Sequence, residues 1–442
     1  MTRYTHRKTI GRPLRVAMVV ANTGVGDARV MKEAEGLAAA GHSVTVFCLA
    51  GIGLAAEQHA AGVRYLRLPE WHRGGSPRAA GNGKPVGPHA AGGVLSGLKT
   101  AVVPFLQHEL HSATFLEAVA AARPDIVHAH DFETLPAAVR AARRCGARVI
   151  YDMHELEEGR LPAAGRFLAR WKTSVERRFI KSVSAAITVS PSIARFKASK
   201  YNIPLPTVVL NAPRLGAVSD GPSLRERCGL AAETPLAVYV GLVTEGRGIA
   251  ELLAALALTP DLHLAMLGPA RPIMRPLLER ETARLGGRLH VLAPVPHDDV
   301  VAHIGSADLG VATIPSSCLS YEYCLPNKLF EMTLAGLPIL VSSTTELSRF
   351  VADTGTGIAV DASDPAAIAS GLAQVYAARQ TLRPDAAKLD ALRARFGWQR
   401  QAQHLLDVYQ AVASGPQGLP VAMARRALAT PLRPAGAMIA GT

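Results

Sequence analysis

The sequence predicts an α/β protein made of two Rossmann-like, doubly wound parallel-sheet domains that face each other across a cleft. Three observations carry this expectation. Short apolar runs alternate with helical patterns from residue 14 to about 210, a looser stretch rich in Pro and Gly follows, and the same alternation then begins again. Strand, helix and strand in repetition give parallel strands in one sheet with helices on both faces. Two such units in series leave a cleft at the carboxyl ends of their strands.

In the first unit the strand-like runs are PLRVAMVV (13–20), SVTVFCLA (43–50), VRYLRL (63–68), DIVHAH (125–130), RVIYDM (148–153), AAITVS (185–190) and TVVLN (207–211). A helix is expected over 28–40, where Val30, Ala34, Leu37 and Ala38 make one apolar face and Gly41 supplies the stop. Residues 1–211 are assigned to this domain. The linker is placed at 212–234, which holds Pro213, Gly216, Gly221 and Pro222. The second domain, 235–395, has strand-like runs at 236–242, 262–268, 288–294, 307–315 and 338–343. A C-terminal helix within 396–414 is expected to pack back on the first domain. The tail from 415 to 442 carries Arg425, Arg426 and Arg433 without an acid and is expected to be disordered. The segment 71–93, with seven glycines, three prolines and no acid, is expected to be a mobile loop, either a surface insertion without function or a lid on the acceptor side of the cleft.

At 442 residues with 49% hydrophobic and 19% charged, the chain has ample material for two buried cores. It holds no run of roughly 18 apolar residues of the kind needed to span a bilayer, and its N-terminus lacks a signal-peptide core, so the cytoplasm is the expected location. Cys48, Cys145, Cys228, Cys318 and Cys324 are odd in number and widely spread, which favours reduced thiols over disulfides or a zinc site. The formal charge of +13 suits an anionic partner. Aromatic residues make up only 5% and do not interleave with arginines, so nucleic acid is not expected.

The first strand ends in ANTGVGDARV (21–30), which places Gly24 and Gly26 in a tight turn opening a helix. Such a turn brings backbone close to a ligand and aims N–H groups at negative charge. It is not a dinucleotide fingerprint. Arg29 stands where the third glycine belongs, and the second strand ends in Phe47, Cys48, Leu49 and Ala50 without a ribose-binding carboxylate.

The most informative segment is LPNKLFEMTLAGLPILVSS (325–343). Pro326 starts a helix, and Gly336 with Pro338 ends it. Lys328 and Glu331, three apart, share a face. A helix N-terminus, a cation and a carboxylate together suit a nucleoside diphosphate, with phosphate meeting the dipole and lysine while glutamate accepts from ribose hydroxyls. Spacing alone equally allows an exposed ion pair.

This segment, with ELSRFVADTGTGIAVDASDPAAIASGL (346–372), resembles the donor-binding half of the GT-B retaining glycosyltransferases, specifically family 4. The resemblance extends to VYVGLVTEGRGIAELLAAL (238–256), DIVHAHDFETLPAA (125–138), RVIYDMHEL (148–156) and GVGDARVMKEAEGLAAAGHSVTVF (24–47). It implies transfer of a sugar from a UDP- or GDP-linked donor to an acceptor hydroxyl, with retention, without a metal or further cofactor. In its terms Glu331 binds the ribose, Arg247 and Lys328 neutralise the diphosphate, and Gly24 with Gly26 shapes the loop beneath it. Tyr323, Asn327, Leu329 and Gly268 fall at further donor-side positions. His154 faces the donor sugar, while His130 and Asp131 line the acceptor side. The chain departs from the pattern where Tyr323 replaces a glutamate eight residues before Glu331, with Glu322 out of register, and where Leu242 replaces an arginine.

The chemistry agrees with these parts. Charge develops on the leaving diphosphate as the anomeric bond breaks, and preorganised cations stabilise it. No Asp-x-Asp pair exists in the sequence to chelate a metal. Arg166, Arg170, Arg177 and Lys181 share one helical face, with Phe167, Leu168, Trp171, Val175 and Phe179 on another. This helix is read either as packing on its sheet or as docking peripherally on the anionic inner membrane surface. Two alternatives stay open: a non-hydrolysing nucleotide-sugar epimerase, and a catalytically silent sugar-nucleotide-binding module.

Overall fold

A computed structural model describes residues 12–69, 113–156, 159, 165–216 and 221–415. The expected loop at 71–93 and the tail from 416 lie outside the described residues, as does the side chain of Arg166.

The first sheet has eight strands: β1 (Arg15–Val19), β2 (Ser43–Leu49), β3 (Glu57–Ala60), β4 (Val63–Leu68), β5 (Ile126–His130), β6 (Arg148–Met153), β7 (Ala185–Thr188) and β8 (Thr207–Val208). Their order is β3-β4-β2-β1-β5-β6-β7-β8, and all but β3 run parallel. The second sheet orders β9 (Leu236–Val240), β10 (His263–Leu267), β11 (Leu289–Leu292), β12 (Leu309–Ala312), β13 (Ile339–Ser342) and β14 (Gly357–Val360) as β11-β10-β9-β12-β13-β14, all parallel. Each sheet is buried on both faces. One core holds Met18, Val46 and Ile150 on one side of the first sheet and another holds Val19, Phe47 and Tyr151 on the other. The second sheet repeats this with Val238 and Val341 against one face and Tyr239 and Leu340 against the other. Continuous apolar strands are the pattern a doubly covered parallel sheet requires.

Two strands lie outside the runs expected from sequence. Both are four-residue edge strands with no fully buried position. β3 turns back onto β4 through Ala61 and Gly62, both at positive φ, in a hairpin whose turn lacks the usual Asn-Gly signal.

Nine helices matter below: α1 (Ala28–Ala39), α2 (Asp131–Cys145), α3 (Gly165–Ile180), α4 (Pro191–Tyr201), α5 (Ile249–Ala257), α6 (Asn327–Leu334), α7 (Thr345–Thr354), α8 (Ala386–Phe396) and α9 (Trp398–Ser414). Asp27 caps α1 by accepting from the Val30 amide, which fixes the turn after β1. Leu405, Tyr409 and Val412 of α9 join Val30, Ala34 and Leu37 in the first domain's core. Each such side chain contributes about 1.5–3 kcal/mol when fully buried, so α9 fastens the chain's end to its beginning. The stretch between the domains is tighter than composition implies. Leu224, within 212–234, is fully buried in the second domain's core, under a Ser223–Glu226 capping box.

Helix α3 is tied down from its inner side. Glu176 accepts from Tyr151 Oη at 2.9 Å, Tyr201 Oη at 2.6 Å and Lys197 Nζ at 2.7 Å. Arg170, Arg177 and Lys181 are left exposed on the outer side, Arg177 lying over the Tyr201 ring. Among the described residues, no helix is long and apolar enough to cross a membrane.

Candidate active site

Residues from both domains meet at the strand ends. On the first domain, β1 runs into Asn22–Asp27, where Gly24 and Gly26 adopt φ of 72° and 74°. The Gly24 amide donates to Asn22 Oδ1 at 2.7 Å, and Arg67, buried beneath, donates to the Thr23 carbonyl at 3.1 Å. A Cβ on Gly24 would press on Cys48 Sγ at 3.2 Å, while one on Gly26 would meet nothing within 4 Å. Gly24 therefore answers to packing and conformation, and Gly26 to conformation with space above it.

The ends of β5 and β6 carry the ionisable groups. Asp131 takes φ of 61°, a left-handed conformation rare outside glycine and asparagine, at the start of α2. Its carboxylate accepts from the His154 amide at 3.1 Å and lies 3.0 Å from His154 Nδ1. The other ring nitrogen, Nε2, lies 3.1 Å from Asp152 Oδ2 and 3.2 Å from His130 Nδ1. Burial opposes the charge on His154, but Asp131 and Asp152 outweigh it and raise its pKa well above the usual 6.5. The two carboxylates favour the imidazolium, with an acidic oxygen within reach of each ring nitrogen. Asp131 keeps 35% of its side chain exposed, so it is the carboxylate that faces the cleft. His154 accordingly stands there as a fixed cation, with no ring nitrogen left to accept from a sugar. His130, expected on the acceptor side, is 1% exposed and lies beneath His154. It supports the site from within, its Nδ1 lying 3.2 Å from His154 Nε2 and 3.5 Å from Asp152 Oδ2.

On the second domain, α6 begins at Pro326 without a side-chain cap, with Asn327 exposed at its first position. Lys328 is only 5% exposed, and its Nζ has no hydrogen-bond partner while lying 3.5 Å from the Tyr239 ring centroid. Burial, with Arg247 nearby, pushes its pKa well below 10.5. Glu331 is buried on the same helix, and burial raises it to about 7 against the pull of Lys32 and Lys328. The ion-pair alternative is thus overturned: both side chains are buried. Arg247, half-buried after β9, adds a cation close enough to act on both Tyr239 and Lys328.

Four other positions resolve differently. Leu329 does not offer itself to a donor: its side chain is fully buried in the core and its amide donates to the Pro326 carbonyl at 3.0 Å. Gly268, at φ of 148°, is required by the fold, since a Cβ there would meet the Gly241 carbonyl oxygen at 2.4 Å. Tyr323 is half-buried, and its carbonyl accepts from Ser190 Oγ at 2.6 Å across the domain boundary. Glu322 does not stand in for the missing glutamate, because Ser316 Oγ and the Thr345 amide hold its carboxylate at 2.5 and 2.8 Å.

Sequence reasoning missed the groups below His154. Arg29, Glu33, His128 and Asp152 are all buried beside His130. Their signal was available: Arg29 and Glu33 are one turn apart on α1, and His128 with His130 alternates on β5. Glu33, His128, His130 and Asp152 offer atoms within 4.8 Å of one another, which in isolation is metal-ligand spacing. Arg29, however, lies 3.1 Å from Glu33 and 2.7 Å from Asp152, so a guanidinium already serves both carboxylates. The set is a charge network.

Comparison with known proteins adds the following. Residues 24–213 match the Glycosyl transferase 4-like domain and residues 234–378 match the Glycosyl transferases group 1 family. The chain is 25% identical over 309 residues to the D-inositol 3-phosphate glycosyltransferase of Paenarthrobacter aurescens, covering 66% of this chain and 74% of that one. It is 25% identical over 362 residues to the glycogen synthase of Albidiferax ferrireducens, covering 66% and 72%. Among solved structures, the sucrose-phosphate synthase of Thermosynechococcus elongatus superposes with a TM-score of 0.70 at 18% identity, covering 89% of this chain and 98% of that one. HepE of Anabaena in complex with UDP-glucose gives 0.63 at 15% identity, covering 90% and 99%.

Proposed function

Since the chain belongs to the GT-B glycosyltransferases of family 4, the group 1 type, we propose that it transfers a sugar from a nucleoside-diphosphate donor to an acceptor hydroxyl with retention of configuration. The observation that carries the donor is Lys328. An ammonium group buried without a hydrogen-bond partner is costly, and here it sits beside an uncapped helix start, Arg247 and a buried glutamate. A diphosphate offset by these groups and a ribose held by Glu331 account for all of them. HepE binding UDP-glucose in the same fold supports this choice of donor.

The acceptor is proposed to enter over Asp131, whose half-exposed carboxylate accepts from a hydroxyl of the acceptor other than the one that reacts, while the His154 cation faces the sugar. As the anomeric bond breaks, the electron pair leaves with the diphosphate, and Arg247, Lys328 and the α6 amides meet the charge that develops there. The acceptor oxygen then forms the new bond on the same face, and its proton passes to the departing phosphate. These side chains provide the charge stabilisation, so turnover is expected to survive EDTA dialysis; loss that magnesium or manganese restores would refute metal independence. Product analysis with labelled nucleotide-sugars tests the whole: transfer is expected, whereas interconversion of the donor sugar or binding alone would overturn it.

Glu331→Gln is expected to weaken donor binding with little change in turnover, because ribose contacts are alike in ground and transition states. Steady-state kinetics would show KM rising at nearly constant kcat. The exposed Arg170 and Arg177 on α3, with Lys181 just after it, are proposed to meet an anionic membrane surface. Co-sedimentation with anionic vesicles should weaken with salt and on changing Arg170 and Arg177 to Gln. Absence of binding at low salt would leave α3 a packing element only.

A further inference from the structure

Helix α1 packs on the first sheet through Val30, Ala34 and Leu37 and buries the charged side chains of Arg29 and Glu33 beside them. Arg29 is 2% exposed. Its guanidinium donates to both oxygens of Asp152, Nε to Oδ2 at 2.7 Å and Nη2 to Oδ1 at 2.9 Å. Nη1 donates to the Val209 carbonyl at 2.9 Å, on the chain leaving β8 for the second domain. A planar fork bound to both oxygens of a carboxylate fixes its plane as well as its place. Asp152 in turn reaches His154 Nε2.

We infer that Arg29 is a positioning residue for His154: by gripping Asp152 from the buried side, it aims that carboxylate at Nε2 and keeps the ring fixed as a cation facing the cleft. The inference rests on the proposed place of His154 in the sugar-transfer site. The groups around the ring are those of four elements: Asp131 of α2, His128 and His130 of β5, Asp152 of β6, and Arg29 with Glu33 of α1. Removal of Arg29 leaves two buried carboxylates, Glu33 and Asp152, without their cation. Glu33 is already pushed up to about 7 by burial, with Arg29 the strongest opposing influence. Asp152 stays ionised against burial chiefly through Arg29. Without it, burial raises the pKa of Asp152, its hold on His154 Nε2 is loosened, and the imidazolium gives up its proton at lower pH.

The test needs no substrate. In protein labelled at histidine nitrogens, the resonances lost in His154→Gln identify this ring, and their shifts report whether both nitrogens carry protons. In the wild type they are expected to stay doubly protonated well above pH 7. In Arg29→Gln the ring is expected to deprotonate at lower pH, with Arg29→Lys restoring part of the shift; a titration identical to wild type in folded Arg29→Gln overturns the inference. If Arg29→Gln does not fold, Arg29→Lys alone decides: an unchanged titration refutes the role, because lysine cannot bind both oxygens as a fork. UDP binding, read by calorimetry, is expected to be unchanged in the Arg29 variants, since Arg247, Lys328 and Glu331 belong to the other domain. The failure of the functional reading looks different: His154→Gln would then transfer sugar normally whatever the titration of Arg29→Gln.

Discussion

Turnover is expected to fall about 100-fold or more when Lys328 becomes Met or Arg247 becomes Ala, the range seen when one preorganised donor to a developing charge is deleted. With Leu242 uncharged, these two side chains are the ones proposed to neutralise the diphosphate together with the α6 amides. The two substitutions should differ in stability. Lys328 is buried without a hydrogen-bond partner and its pKa is depressed. The unfolded chain therefore holds this proton more tightly than the folded one, and at neutral pH the lysine costs stability that a methionine of similar length would not. Lys328→Met should melt at a higher temperature while losing turnover, a pairing that a damaged fold does not produce. The same depression ties UDP binding to pH. The phosphates restore the ammonium's proton, so affinity should weaken as pH rises through the free lysine's pKa, and this dependence should vanish in the Met variant. Near-normal turnover in either variant would mean that the diphosphate lies elsewhere in the cleft.

The sequence made the two doubly wound sheets legible because their central strands are continuous apolar runs such as Val16–Val20 and Leu236–Val240, separated by helical patterns. Edge strands β3 and β14 were not legible, since four residues all exposed in β3 and all half-buried in β14 leave no alternation to read. The corner proposed for the donor was visible in Lys328 and Glu331 because their spacing puts them on one face of α6. Its character was not, as spacing cannot tell an exposed pair from two buried groups with displaced pKa values. The charge network under His154 was hidden for a related reason. Arg29 and Glu33 flank Val30 and Ala34 on α1, and a helix with enough apolar residues to pack is read as packing through them. Only the register of His130 opposite Asp152 brings the partners of these charges together.

Asp131→Asn is expected to lower turnover by roughly 10- to 100-fold, the value of a hydrogen bond to a charged group, about 1.5–3 kcal/mol. Asparagine suits this position as a probe because it tolerates the left-handed backbone at φ of 61°. Asp131→Ala would add backbone strain to the loss of charge and confuse the two. The substitution also removes one of the two anions that hold the His154 proton, so His154 should titrate closer to 6.5 than in the wild type. The sign for stability follows from the direction of each shift. A histidine raised above its unfolded value contributes stability that is full below about pH 6.5 and is lost as pH rises through its folded pKa. Asp131 itself is held below 3.8, chiefly by His154 acting against burial, so its contribution is present above that value and lost as pH falls. Wild type and Asp131→Asn should therefore differ most in melting temperature around pH 6, where both members of the pair are charged. The gap should narrow toward alkaline pH as the wild-type imidazolium gives up its proton, and toward acid pH as Asp131 gains one. Melting curves that run parallel from pH 4 to pH 9, together with unaltered turnover, would mean that Asp131 neither holds the His154 proton nor meets the acceptor.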